Sequence, residues 1–252
     1  MGTSSSHRSP STPAWERVKR LYGQPHPDPR EVAARITAAL DEASRRDMTG
    51  PGVACCLSSL LRASPQVAAH GLAALTTGGE RPPLLAAAEA IRARAERAIA
   101  YAGFASRYSD LALNALATAV VEAVAGGSSD LLHVDADRAT AALGSYARDH
   151  RLHCLALTFV GHDFDHLYRY FVTRDAGDFV GGPGLPTVAE ASQLRDAVSR
   201  HCRETVAGLA AAAHEEALAA ALRRDDDRAL AQVQDVLADL AERGLQRLAA
   251  TG

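Results

Sequence analysis

The chain has 252 residues, a formal net charge of −3, 47% apolar residues and only 5% aromatic ones. That length can bury a sizeable core, and the near-neutral charge, with no basic stripe, excludes a nucleic-acid-binding surface. No apolar run reaches the roughly eighteen residues a membrane-spanning helix needs.

Residues 1–28 are polar and rich in Ser and Pro, and read as a disordered leader in which only Trp15 and Tyr22 could dock locally. From 29 to 252 alanine and leucine dominate with little Val-Ile-Thr alternation, the pattern of one all-α, bundle-like domain. A first helix is expected from Pro29 to Arg46, with Val32, Ile36, Ala39 and Leu40 on one face. Shorter helices are expected at 53–63 and 65–76, and long ones at 84–103 and 107–125, the latter closed by Gly126 and Gly127. The segment 128–138 has room for a short extended piece before a helix at 135–150. A helix from Arg151 to Arg174 follows, with apolar or aromatic positions on most sides and a glycine, Gly161, that implies close approach by a neighbour. Helices over 187–223 and to the C-terminus complete the chain, the last one capped by the acidic run at 225–227.

Cys55, Cys56, Cys154 and Cys202 form no Cys-x-x-Cys pair, and a bridge between neighbours would be strained. They read as buried reduced thiols of a cytoplasmic protein.

Aromatic residues are unevenly spent. Four of the five phenylalanines lie between Phe159 and Thr187, followed by a Gly-Gly-Pro-Gly loop. The fifth, Phe104, lies in "YAGFASRYSD" with Tyr101, Arg107 and Tyr108. If the two segments face each other, they frame a flat apolar cavity for a small aromatic molecule, with Arg107 at its rim. The alternative is ordinary aromatic core packing, with Arg107 paired to an acid such as Asp110. His162 and His166 stand at i and i+4, so both can serve one face of the helix. They could form half of a metal clip, ligate a haem, or simply be hydrogen-bonded in the core.

"HLYRYFVTRDAGDFVGG", His166 to Gly182, resembles the haem-ligand helix and loop of the tryptophan and indoleamine dioxygenases. "AGFASR", Ala102 to Arg107, resembles that family's Ser-Gly-Phe-Gln-Ser segment, although the loop here lacks the family's threonine. The resemblance implies haem b on His166, with His162 as the alternative ligand, and Phe159 and Tyr170 beside it on the helix. It further implies Phe104 and Tyr108 as walls of the aromatic site, Arg107 as the clamp on a substrate carboxylate, and Gly181 and Gly182 in a closing loop. His150 and Cys154 offer a second possible haem attachment. The activity implied is oxygenation of an indole or phenol.

A different class is also open. The alanine-rich segment "ETVAGLAAAAHEEALAAALRR" and the last helix could serve a non-catalytic scaffold or adaptor, dimerising or docking a partner.

Overall fold

A computed structural model describes residues 12–75, 82–125, 135–224 and 226–251, apart from the side chain of Asp227. Every regular element among them is helical, and one isolated bridge joins Val180 to Leu185. The all-α expectation is met. The extended piece expected within 128–138 falls almost wholly outside the described residues.

The folded body begins earlier than the sequence implies. Helix α1 (Pro13–Tyr22) lies within the expected leader, capped by Thr12 and burying Trp15, Val18, Leu21 and Tyr22. The leader boundary at residue 28 is corrected accordingly: apolar residues at i, i+3, i+6 and i+7 give even this polar segment a face to bury. Helix α2 (Pro29–Ala39) packs beside α1 and starts on Asp28, whose carboxylate accepts from the Arg30 N–H.

The expected helix to Arg46 is two. Leu40 turns extended, Asp41 caps α3 (Glu42–Met48), and Arg45 donates to the freed carbonyls of Thr37 and Leu40. Conversely, the two helices expected around Pro65 are one, α4 (Pro51–His70). Pro65 removes a backbone donor, yet α7 (Ala136–Arg148) packs along this stretch and the Ser64 hydroxyl bridges to Leu143 O and Ala147 N. Tertiary contact overrides the local break.

Helices α5 (Pro83–Ala102), α6 (Arg107–Ala125) and α7 (Ala136–Arg148) match their expected spans closely. Helix α8 (Leu152–Ala176) runs between α6 and α9 (Val188–Ala207) and is buried on nearly every side through Phe159–Phe164.

The helix expected over 187–223 breaks after Ala207. The Gly208 and Ala210 carbonyls, released from helical bonding, accept from Arg247 and Arg243 of α11 (Asp227–Ala250). The break returns the chain toward α8, so that α10 (Glu215–Leu222) begins beside the start of α8. That return matters for function.

Candidate functional site

Of the residues singled out by the aromatic pattern, the structure joins Arg107 to Tyr170 and gives the others separate settings. Phe159 is wholly buried in the core. Arg107 donates from Nη1 to the Tyr170 hydroxyl at 2.8 Å and lies 5.3 Å from that ring, so the expected clamp is joined to one of its own neighbours. Tyr108 is half-buried beside Ser44 of α3, and burial pushes its phenol up. Phe104 packs on the core edge, where its carbonyl crowds Gly52.

Gly181 and Gly182 belong to a fixed turn on another face. Gly181 N–H donates to Leu185 O and Gly182 N–H to Phe179 O. Gly184 is wedged against the backbone of Tyr22 and Gln24, where any Cβ would collide. The loop therefore docks on the end of α1.

The space expected for a ligand is occupied by protein. Trp15 and Phe171 have ring centres 5.3 Å apart, Phe164 stacks on Tyr168, and Arg174 lies 4.5 Å from the Trp15 ring while binding Asp175 through two nitrogens. His166 is half-buried, with Nε2 3.5 Å from Thr118 Oγ1. Thr118 opens on a groove of about 420 Å³ lined by Leu85, Ala88, Glu89, Arg92, Ala117 and Val121. None of Phe104, Tyr108, Phe159, Tyr170, Gly181 or Gly182 lines it. The groove beside His166 is thus lined by other residues than the walls the sequence assigned to a haem b. His162 points elsewhere, to Glu122, and among the described residues no group of three His, Cys, Asp or Glu could hold a metal ion.

The N-terminal half of α8 offers a more complete chemical arrangement. Helices α6, α8 and α9 enclose a cleft of about 210 Å³ lined by Glu122, Cys154, Leu157, Thr158, Gly161, Arg203 and Ala207. At one end, Cys154 Sγ lies 3.3 Å from Nε2 of His153. The other ring nitrogen of His153 lies 2.7 Å from Glu215 Oε2, and this oxygen also accepts the His153 backbone N–H at 2.9 Å.

Glu215 serves two roles through one carboxylate. It satisfies a donor at the open start of α8, which has no side-chain cap of its own, and it fixes the imidazole. Burial alone would raise its pKa, but the backbone donors of Leu152 and His153 and the imidazole prevail and hold it below the ordinary carboxylate range. A carboxylate beside Nδ1 selects the tautomer protonated there and leaves Nε2 as an acceptor facing the thiol.

Cys154 is half-buried, whereas Cys55, Cys56 and Cys202 are buried, with thiols pushed up chiefly by burial. All four are free thiols as the sequence implies, and only Cys154 departs from the expected burial.

At the other end of the cleft, His162 is 2% exposed and its Nε2 lies 2.8 Å from Glu122 Oε2. Burial lowers its pKa more than Glu122 raises it, which favours the neutral ring. The neutral tautomer that donates from Nε2 to Glu122 leaves Nδ1, which has no partner, as a bare acceptor. The neighbour facing Gly161 is α9, but a Cβ there would stand 3.4 Å from Arg203 Cγ, an ordinary contact, so the close approach implied by the sequence does not require the glycine.

No family model, curated protein or solved structure matches the chain. The resemblance to the haem oxygenases rests on its motif residues alone.

The sequence picked out Cys154 only in passing, and it gave no role to His153, Glu122, Arg203 or Glu215. His153 and Glu215 are 62 residues apart, and Glu122 and His162 are 40 apart. No local spacing joins them; only the break after Ala207 brings Glu215 home.

Proposed function

We propose that the α6–α8–α9 cleft is a thiol-dependent acyl-transfer site, with Cys154 as nucleophile, His153 as its base and Glu215 orienting the base. The observation that carries this reading is the Cys154–His153–Glu215 relay at 3.3 and 2.7 Å beside a cleft with room for a small molecule. Sγ attacks the carbonyl carbon as its proton passes to Nε2, and the leaving group departs with that proton. Water then attacks the thioester, gives a proton to His153, and releases the acid while the thiol regains its proton. Because His153 is held by a carboxylate, the imidazolium formed during each step is stabilised where it arises.

The scaffold reading has no observation of comparable specificity. The alanine-rich segment is split at Gly208, and its Leu218 and Ala221 turn inward as α10 packs on α11. Of the exposed large apolar residues among those described, Leu85 and Tyr101 lie at opposite ends of α5, Val180 follows α8 and Val188 opens α9, so they form no continuous patch along one element.

The test is turnover of p-nitrophenyl acetate by the full chain. A burst of nitrophenolate, with acetyl on Cys154 by peptide mass mapping and both lost in Cys154→Ser, is the expected result. Equal turnover by Cys154→Ser would refute the reading.

A further inference from the structure

The same cleft carries charges of both signs on facing walls. Glu122 comes from α6 and Arg203 from α9, and their closest approach, Nη1 to Oε2, is 4.0 Å. Both are about half exposed, at 51% and 44%, so the pair is loose and solvent-screened. A ligand can replace it with better bonds.

The two groups are nevertheless positioned. His162 donates to Glu122 from behind and, being neutral, orients the carboxylate without cancelling its charge. The Arg203 stem lies over Gly161 of α8, and Arg203 lines the cleft beside it. From the thiol to this charged end, Cys154 to Gly161 spans roughly 10 Å of helix at 1.5 Å per residue.

A ligand complementary to this layout has an ammonium for Glu122, a carboxylate for Arg203, and an acyl carbon a few bonds away that reaches Cys154. The cleft is below the roughly 300 Å³ where pockets for drug-sized molecules begin. We propose, building on the thiol reading above, that the substrate is the ω-amide of a small α-amino acid, of the size and charge of L-glutamine. In that case the Sγ–C bond forms as the C–N bond breaks, the thiol proton reaches the departing nitrogen through His153, and ammonia leaves. Water then cleaves the thioester to give the ω-carboxylate and restore the thiol.

Recognition is tested apart from chemistry by calorimetric titration of the full-length Cys154→Ser protein. The three probes are L-glutamine, 4-carbamoylbutanoate, which lacks the ammonium, and 4-aminobutanamide, which lacks the carboxylate. L-Glutamine should bind about tenfold or more tightly than either analogue, since each loses one charge-assisted contact. Glu122→Gln should weaken L-glutamine and 4-aminobutanamide but spare 4-carbamoylbutanoate, and Arg203→Gln should give the mirror pattern. Both side chains are half exposed, so the two variants should keep the wild-type melting profile. Equal binding of all three probes, or of none, overturns the proposal; if p-nitrophenyl acetate still acylates Cys154, the thiol reading stands without it. Selective L-glutamine binding with an inert Cys154 upholds the recognition and refutes the thiol chemistry.

Discussion

Along one helix, α8, two regions are built from opposite materials. The C-terminal half stacks Phe164 on Tyr168 and sets Phe171 against Tyr168, Trp15 and the helix's own Arg174, and the side chains fill the space around them. The N-terminal half sets Cys154, Thr158 and Gly161 against Ala207, and small side chains leave a cleft open between three helices. Aromatic density here marks packing, and its absence marks room for a ligand. Large rings close the gaps through which a substrate would enter, whereas small residues hold the backbones apart only as far as the cleft is wide.

The largest expected effects separate the two ends. Cys154→Ser should lower ester turnover at least ~100-fold with little change in melting temperature, because the thiol is replaced by a near isostere. Phe171→Ala should do the reverse, costing about 3–5 kcal/mol in denaturant unfolding while the folded fraction keeps its turnover. If Phe171→Ala abolished turnover in a fully folded protein, the division of labour along α8 would be wrong.

Gly184→Ala sharpens the packing side. A methyl there meets the carbonyls of Tyr22 and Gln24, so the glycine loop should lift from α1. Hydrogen exchange should show α1 losing protection while α4 keeps its own, and uniform protection would contradict the docking role.

Asp163 gives a pH signature of the buried centre. It is buried, accepts no hydrogen bond among the described residues, and burial raises its pKa from 3.8 to about 8. Between those values the unfolded chain has released the proton that the folded chain retains. Stability should therefore fall as pH rises from about 4 to 8 and level off above. Each pKa unit corresponds to ~1.4 kcal/mol, so Asp163→Asn should recover an amount on the order of several kcal/mol at pH 8 and almost none near pH 4. Parallel urea melts of the two proteins check this; identical pH slopes would rule out a protonated Asp163.

Much of the fold was legible in the sequence. Helices α5, α6 and α11 announced themselves through apolar periodicity and their flanking Gly, Pro and Asp residues. Legibility failed where distant contacts decide: Pro65 is carried through α4 by its packing on α7, and the break after Ala207 is sustained by Arg243 and Arg247. Arg107 and Tyr170 do meet, but bonded to each other. The cleft was nearly invisible because Glu122, Arg203 and Glu215 are ordinary surface letters until α6, α9 and α10 carry them to α8.

The smallest expected effects lie where the sequence drew most attention. Arg107→Gln should cost under about 1 kcal/mol, since its contact with Tyr170 is at the surface. Hemin added to the purified protein should give no Soret band that survives desalting and weakens in His166→Ala. Such a band would restore the haem reading.

The central claim is that His153, held by Glu215, takes the proton of Cys154. The most direct measurement is the rate of Cys154 alkylation by iodoacetamide across pH, followed by intact-mass and peptide mass spectrometry. The wild type should react at Cys154 well before the three buried cysteines, and His153→Gln and Glu215→Gln should slow that reaction about tenfold or more near neutral pH. Equal rates in all three proteins would mean that Glu215 only caps α8, and that the thiol has no base.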